Sequence, residues 1–327
     1  MAHPSPHSGH RRGWQRLAGL CLFAALAATG CGVRFVSSPA VENAASLRPA
    51  SAITSHLVII SVDGLRPDAI GAYDTPNLHR LMREGSYTLE ARTILPSKTL
   101  PSHTSMLTGE GPDRHGVLWN NIAMARKDTV EIPTIFGVAR AHGYQTAAFF
   151  SKPKFNAIQQ PGTLDFSQAP GSWFAKWSVN KTTTDVERYL ASSQPNVLFV
   201  HLAEPDTTGH HSGWMSAAYG RAVTGADAGI GRIMAAATRA FGDGNYTLIV
   251  TSDHGGHDGD HGQDDVRDVT IPWIAWGRGV KPGPLPAGGI VNTVDTASTS
   301  LWLLGLREPT DWAGAPVLAA FAAGSSR

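Results

Sequence analysis

Cysteine is nearly missing from this chain: only Cys21 and Cys31 occur in 327 residues. A disulfide scaffold and a thiolate zinc cage are therefore both excluded as the basis of the fold. Charge is also scarce, at 16% Asp, Glu, Lys and Arg, with a formal net charge of +1. No basic field marks bulk nucleic acid as a partner, and no acidic tail is present. Long apolar runs are absent too. The run Leu17 to Ala28 covers 12 residues, well short of the roughly 20 that a helix needs to span a bilayer. There is no internal repeat.

The short apolar run has a different use. Arg11, Arg12 and Arg16 precede it, and Ala28-Thr29-Gly30-Cys31 ends it. A cationic stretch, an apolar stretch and a small-residue end form an export signal. The ending resembles a bacterial lipobox, in which the cysteine is lipidated; Ala28 stands where leucine is usual. Simple cleavage and twin-arginine export are the alternatives. Cys21 leaves with such a signal, so Cys31 is expected as a lipid anchor to the membrane at the cell envelope, periplasmic or outer. Residues 1–31 are thus expected as signal, 32–55 as a Ser-, Ala- and Pro-rich tether, and 56–327 as one catalytic domain.

From His56 onward, apolar runs alternate with helical periods. Strands are expected over 56–62, 146–151, 196–202, 246–251 and 270–276. Helices are expected over 75–84, 182–192, 217–241 and 294–304. The continuous β-branched runs suit strands buried on both faces. Alternation of strand and helix implies an α/β fold with a parallel sheet covered on both faces.

Polar residues gather just after these strands. Asp63-Gly64 follows the first, Glu204, Asp206 and His210 follow the third, and Asp253-His254-Gly255 follows the fourth. Ligand sites in open α/β sheets lie beyond the carboxyl ends of the strands. Each piece has a plain alternative. Asp-Gly suits a turn, and Asp206 suits a helix cap. The run Asp253-His254-Gly-Gly-His257-Asp258-Gly-Asp260-His261 is harder to explain as solvated loop. Carboxylate and imidazole together suit a divalent cation of the zinc kind. Pro101 suits the first turn of a helix running to about Leu107. Thr99 then stands at its amino end, where free N–H groups and the dipole favour anions; plain capping is the alternative.

These segments together resemble the type I phosphodiesterase/nucleotide pyrophosphatase family of the alkaline phosphatase superfamily. The resemblance covers roughly 56–280. It rests on V-D-G-L-R at 62–66, K-T-L-P-S-H at 98–103, T-G at 108–109, H-G-V-L-W-N at 115–120, E-P-D-T-T-G-H at 204–210, S-D-H-G at 252–255 and D-H-G at 260–262. It implies an alkaline-phosphatase-like core with a mostly parallel sheet. It implies two divalent metal ions, zinc in kind: one on Asp63, Asp253, His254 and Thr99, the other on Asp206, His210 and His261. His261 is preferred over the nearby His257. Thr99 becomes the nucleophile through a phosphothreonine intermediate, while Asn120 and the Leu100 N–H bind a phosphoryl oxygen. The substrate implied is a small phosphate ester, foremost a phosphodiester.

A phosphomonoesterase or phosphonate hydrolase on the same core is the rival enzyme. A non-catalytic surface lipoprotein is the rival of another class, and completeness of the residue set speaks against it. The sulfatase branch lacks support because no Cys-x-Pro-x-Arg occurs. Phe155, Phe166, Trp173, Phe174 and Trp177 lie in a long connection and could stack a nucleobase or cap the core.

Overall fold

A computed structural model describes residues 52–121, 123, 130–172 and 175–322. The expected signal, Cys31 and most of the expected tether lie outside them. The packed domain includes residues ahead of His56: the Ile53 N–H donates to the Leu303 carbonyl at 2.9 Å, and Thr54 is buried.

Eight strands form one sheet: β1 (Leu57–Val62), β2 (Ser86–Arg92), β3 (Thr146–Phe149), β4 (Phe166–Gln168), β5 (Val197–Leu202), β6 (Thr247–Thr251), β7 (Thr270–Gly277) and β8 (Gly283–Pro284). Their spatial order is β4-β3-β5-β1-β6-β7-β2-β8. β1 pairs in parallel with β5 on one side and β6 on the other, and β3 pairs in parallel with β5. The sheet is mostly parallel, as expected; β7 is the exception and runs antiparallel to both β6 and β2. The connection from β6 to β7 is a loop with only a four-residue helix, Val266–Val269. The connection spans residues 252–269 but holds no helix long enough to pack across the sheet as a crossover, so the chain turns back beside β6.

β1 shows why these runs make central strands. All six of its residues are buried. Leu57 and Ile59 join the cluster on one face, with Phe199, Ile249 and Trp273. Val58, Ile60 and Val62 join the other, with Leu198, Val200 and Leu248. Period-two alternation thus feeds both cores, each buried aliphatic contributing about 1.5–3 kcal/mol. Helices Pro76–Glu84, Val179–Leu190 and Ala217–Phe241 cover the second face. Helices Thr99–Thr108, Ile135–Ala141 and Asp295–Leu303 cover the first. The helix expected at 182 begins earlier because Ser178 caps it, accepting the Lys181 N–H. No helix among the described residues is long and apolar enough to cross a membrane.

Candidate active site

The four adjacent parallel strands β3, β5, β1 and β6 end at one edge of the sheet. Beyond them sit Lys152, Asp206, Asp63 and Asp253 in turn. Asp63 is in the turn after β1, so the turn reading and the site reading both apply. The turn needs Gly64: its φ is +71°, and a Cβ there would lie 2.9 Å from the Asp206 Cα. Asp206 is in the first turn of helix Glu204–Ser212 rather than its cap, and its N–H donates to the Asp63 carbonyl at 2.9 Å. His210 follows one turn later, on the same side of the helix.

Asp63, Asp253 and His254 are fully buried, and Asp206 nearly so. One carboxylate oxygen of each aspartate is well held. Asp63 Oδ2 meets Lys152 Nζ at 2.6 Å and accepts from His201 Nε2 at 2.8 Å. Asp206 Oδ2 accepts from Lys152 Nζ at 2.5 Å. Asp253 Oδ1 accepts the Gly64 N–H at 3.1 Å. The other oxygens, Asp63 Oδ1, Asp206 Oδ1 and Asp253 Oδ2, are buried without a hydrogen-bond partner.

The imidazoles complete the pattern. Nδ1–H of His254 donates to the Gly255 carbonyl at 2.8 Å, that of His210 to Gly259 at 2.9 Å and that of His261 to Ser97 at 2.8 Å. Each bond fixes the tautomer and leaves an Nε2 lone pair facing inward. His254 Nε2 lies 3.4 Å from Asp63 Oδ1 and 3.2 Å from Asp253 Oδ2. Asp206 Oδ1 lies 3.3 Å from His210 Nε2 and 3.5 Å from His261 Nε2. The two latter Nε2 atoms are 3.1 Å apart. Lone pairs converging on lone pairs repel unless a cation lies among them, so this donor set fits divalent metal. Among the described residues three groupings have ligand atoms all within 4.8 Å: Asp63, Asp253 and His254; Asp206, His254 and His261; and, apart from the Thr99 site, His257, Asp265 and Asp268.

The charges respond accordingly. Burial and the neighbouring Asp63 raise the Asp253 carboxyl well above its ordinary range. At Asp63 burial acts the same way, but Lys152, His201 and His254 outweigh it and hold the carboxyl low. Burial, then His254, pushes His261 down to about 3, which keeps its imidazole neutral.

Thr99 opens helix Thr99–Thr108, whose cap residue is Lys98; its side chain makes no capping bond. Thr99 Oγ1 points instead at His254 Nε2, 3.5 Å away. His103, one turn on, donates Nδ1–H to the Thr99 carbonyl at 2.7 Å and accepts from Ser61 at 2.8 Å. The expected phosphoryl-oxygen donors meet each other: the Leu100 N–H donates to Asn120 Oδ1 at 3.0 Å. Lys154 Nζ donates to the same oxygen at 3.0 Å. His257 turns away, to Asp268 Oδ1 at 2.7 Å.

Sequence reading missed Lys152, Lys154, His103 and His201. The Lys-Pro-Lys directly after the strand at 146 was the available signal for the lysines, since it follows the rule that exposed the aspartates. Of the long connection's aromatics, Phe155 is buried and stacks on Phe150 at 4.8 Å, and Phe166 stacks on Tyr189 at 4.4 Å. Trp177 lies under Lys181 Nζ at 4.1 Å. The first two therefore cap the core; Trp173 and Phe174 lie outside the described residues.

Known proteins resemble this chain in sequence and in fold. Venom phosphodiesterase 2 of Crotalus adamanteus is 26% identical over 229 residues, 63% of this chain and 27% of that protein. Bis(5'-adenosyl)-triphosphatase enpp4 of Xenopus laevis is 26% identical over 222 residues, 63% of this chain and 48% of that one. The chain therefore spans less than half the length of these relatives. Murine ectonucleotide pyrophosphatase / phosphodiesterase 5, solved as an inactive variant with AMP, superposes with a TM-score of 0.66 at 17% identity, covering 78% of this chain and 96% of that one. A 2-O GAG sulfatase shares the fold with a TM-score of 0.65 at 16% identity, covering 81% and 73%. Residues 57–276 match the type I phosphodiesterase / nucleotide pyrophosphatase family, and the chain belongs to it.

Proposed function

We propose that this protein hydrolyses phosphate esters, phosphodiesters included, with Thr99 as nucleophile and two divalent cations, zinc in kind. Asp63, Asp253, His254 and Thr99 would hold one, and Asp206, His210 and His261 the other. The observation that carries the reading is the convergence of three orphaned carboxylate oxygens and three imidazole lone pairs beside a first-turn threonine. Bound cations supply positive charge that lowers the Thr99 hydroxyl pKa and offsets the charge of the phosphoryl group.

The rest is done by the chain. Thr99 Oγ1 attacks phosphorus as the bond to the leaving alkoxide breaks, giving a phosphothreonine. Water then cleaves that ester and returns the hydroxyl. A phosphoryl oxygen takes the place of the Asn120 carbonyl at the Leu100 N–H, and the Asn120 amide turns its Nδ2 donors to it. The helix amino end adds its partial positive charge. His103, bonded to the Thr99 carbonyl, holds that first turn against β1. The amino-terminal pattern supports export and acylation at Cys31, which would place the site at the outside of a membrane.

Purified protein should bind about two zinc equivalents per chain. It should hydrolyse bis-p-nitrophenyl phosphate or a nucleotide p-nitrophenyl ester, losing activity to a chelator and regaining it with zinc. Undiminished turnover in metal-free protein, or none on any phosphate ester when zinc-loaded, contradicts the reading.

A further inference from the structure

A cavity of about 230 Å³ opens in front of Thr99, with Asn120, Lys152, Pro153, Lys154 and Lys176 along its wall. Three lysines at one small cavity call for explanation in a chain so poor in charge. Lys152 is accounted for: it lies between Asp63 and Asp206. Lys154 is not. It is half-buried, its polar bond goes to the neutral Asn120 Oδ1 at 3.0 Å, and no carboxylate among the described residues lies within ion-pair distance. Burial and the adjacent Lys152 charge pull its ammonium down to about 8. An anion entering the cavity would relieve both costs. Lys176 stands exposed at the mouth.

Count the oxygens of the group to be transferred. Thr99 approaches opposite the leaving oxygen. One further oxygen faces the cation ligands, and one faces Leu100 and Asn120. In a diester the remaining position carries an uncharged ester arm, which needs room and apolar contact. Here the cavity wall presents the Lys154 ammonium, Pro153 is the sole apolar residue among the described residues of the lining, and the volume falls below the roughly 300 Å³ at which ligand pockets usually begin. In a monoester that position is a third unesterified oxygen bearing the extra charge. We propose that Lys154 is a specificity-determining residue that binds this third oxygen, so that the site favours the terminal, doubly charged phosphoryl group of a phosphomonoester over a diester. The proposal rests on Thr99 being the site of phosphoryl transfer.

The test compares p-nitrophenyl phosphate with bis-p-nitrophenyl phosphate in zinc-loaded wild-type, Lys154→Gln and Lys154→Arg proteins. Lys154→Gln should lower monoester kcat/KM roughly 10- to 100-fold, as loss of one charge-assisted hydrogen bond does. Diester kcat/KM should fall by much less, and Lys154→Arg should restore part of the monoester rate. An equal fall on both substrates overturns the assignment. A second arm needs no turnover: calorimetry of inorganic phosphate against dimethyl phosphate on zinc-loaded Thr99→Ala protein. Phosphate should bind tighter, and adding Lys154→Gln should narrow the difference roughly 10-fold or more; a difference of unchanged size overturns the assignment. If wild type hydrolyses neither ester while the binding difference depends on Lys154, the hydrolase reading fails and the anion site stands.

Discussion

Three imidazoles of the site share one arrangement, with Nδ1–H on a backbone carbonyl and Nε2 turned inward. His257 breaks it, because its Nδ1 goes to Asp268, which also accepts the Gln263 N–H. The two histidines in one glycine-rich loop should therefore respond differently. His261→Ala should lose about one zinc equivalent and most turnover. His257→Ala should keep both, at a stability cost of about 1 kcal/mol for a lost hydrogen bond. Elemental analysis beside a thermal melt decides it, and zinc loss in His257→Ala alone would reverse the assignment. Lys152 makes a second case. Its charge between two buried carboxylates is matched only while both partners are present, so Lys152→Met should destabilise metal-free protein by about 3–5 kcal/mol. Zinc should recover much of that loss, since cations then face the same carboxylates; an unchanged deficit with and without zinc would show that Lys152 acts only through packing.

The elements set where these residues stand. His115 closes helix Pro112–His115 and accepts the Val117 N–H at 3.1 Å, while its Nε2 meets Ser105 at 2.9 Å. It thereby ties the segment that ends in Asn120 to the helix that begins with Thr99. Burial holds its pKa down at about 4, against an ordinary value near 6.5. The fold thus favours the neutral ring. That stabilisation is complete above pH 6.5 and is lost as pH falls towards 4. The melting temperature of His115→Asn should decline less steeply than wild type between those values; parallel curves would show that His115 does not titrate in the fold. Legibility differed by element for physical reasons. β1, β5 and β6 are buried on both faces and read as unbroken apolar runs, so the carboxylates after them could be placed in advance. β2, Ser-Tyr-Thr-Leu-Glu-Ala-Arg, is mostly half-buried or exposed and shifts register between Thr88 and Ala91. It carries no such run and went unseen, as did the three-residue β4. Lys152 and Lys154 went unseen because lysines beside a proline read as solvated surface; only the neighbouring carboxylates reveal Lys152 as buried.

At the scale of the molecule, one topological fact makes the site: β3, β5, β1 and β6 are neighbours and parallel, so four distant stretches of sequence end side by side. The antiparallel β7 lies beyond them and contributes no ligand among the described residues. Placement of this domain relative to a membrane is a separate matter, resting on Cys31. Wild-type protein should fractionate with membranes, and Cys31→Ser should release it or block its maturation; soluble wild type with an unmodified amino terminus beyond Cys31 would refute lipidation without touching the site. Thr99 is the centre of the proposed chemistry. Thr99→Ala should keep its zinc, because Asp63, Asp253 and His254 remain, and lose several orders of magnitude in turnover, where loss of a cap alone would cost about 1 kcal/mol of stability. The most direct measurement is mass spectrometry of zinc-loaded wild-type protein quenched in acid during turnover of a p-nitrophenyl ester. A phosphate adduct on the peptide containing Thr99, absent from Thr99→Ala, is the predicted result. Full turnover with no adduct, together with near-wild-type activity in folded, zinc-loaded Thr99→Ala, would contradict the covalent mechanism.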